Sequence, residues 1–112
     1  MTEASYPYVA RRNTCRYNSA SVGARITRIN AVSDIRTGLA SGPVSVLVQA
    51  ESGGFMYYST GIFNGVCGQP DHAVIAVGWG TAGGVNFLIV RNSWGGNWGE
   101  RGYIRVRMGG SC

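Results

Sequence analysis

Apolar residues in this chain alternate with polar ones in short runs, and glycine-rich breaks separate the runs. Val44 to Ala50 has period two, so Val44, Val46 and Val48 share one face of a predicted strand. His72–Trp79, Val85–Asn92 and Tyr103–Met108 read as three further strands, bounded by turn-forming residues. In the last of these, Ile104, Val106 and Met108 point one way while Tyr103, Arg105 and Arg107 turn to water. Ala24–Asn30 alternates well enough for one more short strand. Only Ser33–Ser41 reads as a helix: Ser33 can cap it, Asp34 suits its first turn, and Ile35 and Leu39 fall on one face. Gly42-Pro43 ends it. Phe55–Tyr58 has room for a single helical turn between Gly53-Gly54 and Gly61. The expected class is mostly β (α+β), an antiparallel sheet with one or two short helices.

Length and composition narrow this picture. A chain of 112 residues allows one compact domain and little more. Eighteen glycines argue for many turns and against a helical bundle. No repeat, low-complexity tract or linker interrupts the chain. The longest apolar stretch, around Ala73–Trp79, is far too short for a membrane span, and the first residues have neither the basic start nor the apolar run of a secretion signal. The net charge is +5, all of its cations arginine, yet these are scattered and never run longer than two. A solvated surface explains them better than a nucleic-acid site, which would want a clustered patch. No nucleic-acid or membrane partner is expected.

Cys15, Cys67 and Cys112 are an odd count without zinc-site spacing, and a single histidine cannot complete a ligand set. Either all three are free thiols, or one pair is oxidised and one cysteine lacks its partner. No metal is expected.

Candidate chemistry lies at the open end of a predicted hairpin. A turn over Thr81–Gly84 brings His72 and Asn92 opposite or adjacent on the neighbouring strands. An Asn oxygen accepting from one imidazole nitrogen fixes the tautomer and leaves the other nitrogen free for proton transfer. Asn does so without adding negative charge, which suits a base that coexists with a thiolate. Asp71 cannot form a serine-hydrolase dyad with His72, because adjacent strand residues face opposite ways. Spacing alone equally fits a plain surface or core histidine, a turn asparagine at position 92, and core aromatics at Trp94 and Trp98.

Longer motifs carry more. Asp71-His72-Ala73-Val74, Gly78-Trp79-Gly80 and, above all, Asn92-Ser93-Trp94-Gly95-Gly96-Asn97-Trp98-Gly99-Glu100-Arg101-Gly102-Tyr103 resemble the papain-like cysteine peptidases, the papain and cathepsin family. Tyr6-Pro7-Tyr8 followed by Cys15, Gly42-Pro43-Val44-Ser45-Val46, and Tyr58 through Gly61-Ile62-Phe63 fit the same pattern in the same order.

The resemblance implies a two-domain enzyme of which this chain, residues 1–112, is the single right-hand, β-rich and barrel-like C-terminal domain. The helical left domain, with a Gln and then a Cys-Gly-Ser-Cys-Trp nucleophile motif, has no counterpart here. By position, His72 and Asn92 resemble the catalytic histidine and the residue that orients it. Trp94 resembles the indole shielding their hydrogen bond, with Trp98 packed behind it. Leu47, Asp71 and Ala73 match the pocket for the substrate's second side chain, with an apolar preference. Cys67 and Cys112 match an internal disulfide, and Cys15 resembles a cysteine whose partner lies in the left domain. Such disulfides imply a lysosomal, endosomal or secreted setting. The implied activity is cysteine-type endopeptidase proteolysis without a cofactor, inactive in this chain alone. The implied partners are a polypeptide substrate and the left domain. An apolar, Trp-lined face without that domain favours self-association. The alternative is a non-catalytic binding or antigenic module on the same domain.

Overall fold

A long β-hairpin forms the spine of this computed structural model, which describes residues 2–21, 23, 26–31, 34–65 and 68–109. Its strands are β3 (His72–Ala82) and β4 (Val85–Arg91), with β1 (Val44–Val48) and β2 (Ile62–Phe63) before them and β5 (Tyr103–Arg107) after them. The turn is Gly83-Gly84, with φ of 56° and 75°. Two consecutive positive φ values are what a two-residue primed hairpin turn requires, and glycine meets that demand without steric penalty. The turn is tighter than the Thr81–Gly84 pattern predicts, because Thr81 and Ala82 stay in the ladder opposite Asn86 and Val85. The register shifts between Ala76 and Gly78, leaving Val77 as an extra residue.

β1 pairs antiparallel with β3, β5 pairs antiparallel with β4, and β2 runs parallel to β5. The result is one five-stranded sheet in the order β1-β3-β4-β5-β2. The class is mostly β with two short helices, as the alternation predicts. The sheet is open, with β1 and β2 as its edges, so "barrel-like" describes it only loosely. β2 has two residues, too few for any periodic signal.

Val48, Val74, Ala76, Leu88, Val90, Ile104 and Val106 meet in the core, where Ile35 and Phe55 join them from two helices, α1 (Ile35–Leu39) and α2 (Gly53–Met56). α1 is shorter than the predicted Ser33–Ser41 segment. Its N-cap is Asp34, and the expected cap Ser33 lies outside the described residues. The Arg36 guanidinium lies 3.7 Å from the centroid of the Trp79 ring, tying α1 to β3 through a cation–π contact. α2 begins two residues earlier than the predicted Phe55–Tyr58 turn. The Ser52 hydroxyl accepts from the Phe55 N–H at 3.4 Å and starts the helix at the glycines.

Of the predicted strand Ala24–Asn30, the first two residues are outside the described set, and residues 26–30 form no strand and join no ladder. Period-two alternation needs a neighbouring strand to become a sheet, and Ile26 is 95% exposed. On the sheet face opposite the core, Leu47 and Ala73 are paired in register, Ser45 and Ile75 likewise, and all four are exposed. Val77 and Trp79 are exposed further along β3. Among the described residues, no helix is long and apolar enough to cross a membrane.

Candidate active site

His72 opens β3 and stands opposite Val48 of β1. Asn92 immediately follows β4, whose last residue, Arg91, pairs with Ile75. Continuing that register sets Asn92 against Val74, so the contact to His72 is a diagonal one, a single same-face step along β3. The later turn and the bulge account for the difference from the directly opposed pair that a symmetric turn implies. The contact itself is made: His72 Nε2 lies 2.9 Å from Asn92 Oδ1.

The same Asn92 oxygen accepts from the Ser93 backbone N–H at 2.7 Å. Only the carbonyl side of an amide accepts from an N–H, so this second bond fixes which way the amide points. His72 Nε2 is therefore the donor in this contact, so in the neutral ring Nδ1 is the nitrogen without a proton. Asn92 is 7% exposed, and among the described residues its Nδ2 has no hydrogen-bond partner. An unpaired buried donor costs about 1–3 kcal/mol. The amide is held in place by its oxygen despite that cost.

Trp94 covers this pair. Its ring stacks on His72 with centroids 5.1 Å apart and planes inclined by 23°. Phe55 and Trp98 meet Trp94 edge-on at 5.6 and 5.4 Å. Trp98 is buried, and its Nε1–H donates to the carbonyls of Phe55 and Met56 at 3.2 and 3.0 Å. The two tryptophans thus play different parts: Trp98 anchors the loop to α2, and half-open Trp94 stacks on the histidine.

A hollow of about 250 Å³ opens beside His72 and Trp94, lined also by Ala50, Glu51, Met56 and Asp71. The Asp71 carboxylate accepts from the Ala50 and Glu51 amides at 2.7 and 3.2 Å, which shapes this rim. Leu47 and Ala73 do not line it; they form the exposed pair across β1 and β3. A second hollow of about 300 Å³ beside α1 and β1 has mainly apolar walls, and among the described residues no histidine, carboxylate or thiol lines it.

The sequence reading missed a second polar cluster, centred on Glu100. Arg105 grips its carboxylate with two prongs, Nε to Oε1 at 2.7 Å and Nη2 to Oε2 at 2.9 Å. Thr60 donates to Oε2 at 3.0 Å. The single Tyr58 hydroxyl proton sits between the Gly61 carbonyl at 2.5 Å and Glu100 Oε1 at 2.9 Å. The Arg105 guanidinium holds the Glu100 carboxyl at about 2, below its ordinary 4.5, against the opposing effect of burial. Burial is the main reason that the Tyr58 phenol is raised, and the carboxylate raises Arg105. A Glu and an Arg flanking a Gly-containing turn was the available signal.

Cys15 is exposed and free, its Sγ accepting from the Tyr17 N–H at 3.4 Å. The expected Cys67–Cys112 pair lies outside the described residues. Among the described residues, no three His, Cys, Asp or Glu side chains are grouped to hold a metal ion.

The family model described as "Papain family cysteine protease" matches residues 1–112. The chain belongs to the papain family of cysteine proteases. Papaya proteinase 4 from Carica papaya is 43% identical over 113 residues, covering 93% of this chain and 32% of that protein. Digestive cysteine proteinase 1 from Homarus americanus is 44% identical, covering 94% of this chain and 35% of that protein. Among solved structures, the bromelain protease from Ananas comosus in complex with the E64 inhibitor superposes with a TM-score of 0.70 at 39% identity. That match covers 98% of this chain and 55% of the bromelain chain. The chain therefore spans about a third of the length of the curated relatives it matches.

Proposed function

We propose that this chain is the right-hand domain of a cysteine endopeptidase, supplying the histidine and asparagine to a thiol carried by a left-hand domain. The observation that carries this reading is the 2.9 Å contact of His72 Nε2 with Asn92 Oδ1 under the Trp94 ring. With Nε2–H given to Asn92, the bare Nδ1 takes the proton of the thiol, and the resulting imidazolium steadies the thiolate. The thiolate attacks the peptide carbonyl, and the proton on Nδ1 passes to the leaving amine. Water then hydrolyses the thioester, with Nδ1 again taking a proton.

Asn92 keeps the ring aligned through both proton transfers, and as a neutral amide it adds no second negative charge beside the thiolate. Trp94 keeps water from the His72–Asn92 bond, and Trp98 holds Trp94 in place. Leu47, Asp71 and Ala73 form the site for the substrate's second side chain. The exposed Leu47 and Ala73 give it an apolar character, while the Asp71 carboxylate, engaged by two backbone amides, serves as structure. A Cys67–Cys112 disulfide and a secreted or endolysosomal setting complete the reading, which requires no cofactor.

The test joins this chain behind the cysteine-bearing half of papaya proteinase 4 and measures cleavage of a fluorogenic dipeptidyl substrate. The chain alone is expected to be inactive, the joined protein active, and its His72→Ala form reduced by about 10²-fold or more. Undiminished cleavage by the His72→Ala form would overturn the assignment.

A further inference from the structure

Within the loop from Asn92 to Tyr103 the Gly102 N–H donates to the Trp98 carbonyl at 2.7 Å, and at the loop's base the Asn92 N–H donates to the Gly102 carbonyl at 3.0 Å. That carbonyl belongs to a tight turn in which Glu100 and Tyr103 exchange both backbone hydrogen bonds, at 2.9 and 3.2 Å. The two central residues have positive φ, 56° at Arg101 and 91° at Gly102. Gly102 takes that conformation freely, whereas Arg101, with a Cβ, is strained in it. Something must keep the turn from relaxing.

The Glu100 carboxylate is placed to do so. It begins the turn and reaches across it to the Arg105 fork on β5, with Thr60 and Tyr58 closing on the same two oxygens. Arg105 is further tied back by its own N–H to the Tyr58 hydroxyl at 3.5 Å. We propose that Glu100 is a positioning residue: by gripping the strained Arg101 turn it sets the Gly102 carbonyl that holds Asn92 against His72. This rests on the reading of His72 and Asn92 as the working pair. Glu100 touches no reacting atom; it acts through the turn and the Asn92 backbone.

Two readouts on the whole chain test this. One is hydrogen exchange of the Asn92 backbone amide, compared with the Ala76 and Val90 amides of the β3–β4 ladder. The other is the imidazole Nε2–H resonance of His72, visible by NMR only while that proton is held in a hydrogen bond. Glu100→Gln is expected to speed Asn92 exchange by about tenfold, the scale of the left-handed penalty at Arg101, and to broaden the Nε2–H signal, with Ala76 and Val90 unchanged. Arg101→Gly in that background removes the strain and should restore both. A clamp that merely stabilises the fold predicts equal acceleration at all three amides and no specific rescue. That result, or an Asn92 amide indifferent to Glu100→Gln, would overturn the proposal. If Glu100→Gln fails to fold, Arg105→Lys, which keeps the charge and loses the fork, carries the same comparison. Asn92→Ala separates the underlying reading: if the Nε2–H signal persists without the Asn92 side chain, the pair itself is wrong and the proposal falls with it.

Discussion

The imidazole of His72 and the indole of Trp94 lie nearly parallel, 5.1 Å apart, with the Asn92 amide at the imidazole's Nε2. Stacking over a hydrogen-bonded ring limits its tilt as well as its hydration. Trp94 is itself 40% exposed, so it shields the pair without closing the hollow beside it. Trp94→Ala is expected to leave the β-sheet intact while moving the His72 ring protons downfield as the ring current is lost. In the joined enzyme described above, cleavage should fall by about tenfold, a share of the range ascribed to positioned acid–base groups. Unchanged His72 proton shifts in this variant would show that the stack does not persist in solution.

Acid should weaken the molecule in a definite window through Glu100. Its carboxyl sits at about 2 in the folded state against an ordinary 4.5, so it is charged in the fold where it would be protonated in the unfolded chain. The stabilisation it provides is complete above about 4.5 and fades as pH falls toward 2. Melting temperatures between pH 7 and pH 2 are expected to drop more steeply for the parent chain than for Glu100→Gln. Parallel curves would contradict the assignment of that window to Glu100.

Two glycines of the same loop should respond unequally to alanine. At Gly99, φ is 58° and an added Cβ would stand 2.5 Å from the Tyr103 carbonyl oxygen. At Gly96 an added Cβ meets nothing within 4 Å, and its φ lies outside the left-handed range. Gly99→Ala is expected to cost at least about 2 kcal/mol in urea unfolding, and Gly96→Ala to stay within about 0.5 kcal/mol. Equal effects would mean that the loop rearranges around the added methyl.

The exposed apolar row on β1 and β3 should make the isolated chain associate. Leu47 is 63% exposed and Ile75 43%, with Ala73 between them and Val77 and Trp79 beyond. Light scattering on the whole chain at micromolar concentration should report more than one copy, and the Leu47→Ser, Ile75→Thr double variant should reduce that mass. A monomeric parent chain would refute this.

Much of this architecture was legible from alternation alone. β1, β3, β4 and β5 were each readable because one face of every strand is buried, so period two is written into the residues. The Ala24–Asn30 run shows the limit: with Ile26 and Ile29 three apart its alternation is weaker than β1's, and pairing depends on a neighbour that no local pattern reveals. The His72–Asn92 pair was accessible because it spans a single hairpin, whose turn converts sequence distance into spatial distance. The bulge at Val77 was not, since it alters the register without altering composition. The Glu100 cluster stayed hidden for a different reason. It gathers Tyr58 and Thr60 from 42 and 40 positions away, and a contact of that span is set by the parallel docking of β2 on β5, itself two residues long.

The Gly83-Gly84 turn has a kinetic corollary. Hairpins close in about 1–10 μs, far faster than distant strands find each other. His72 and Asn92, twenty positions apart, are thus delivered to one another by zippering outward from a pair of glycines. Lengthening or stiffening that turn would delay the meeting of the two side chains without touching either of them.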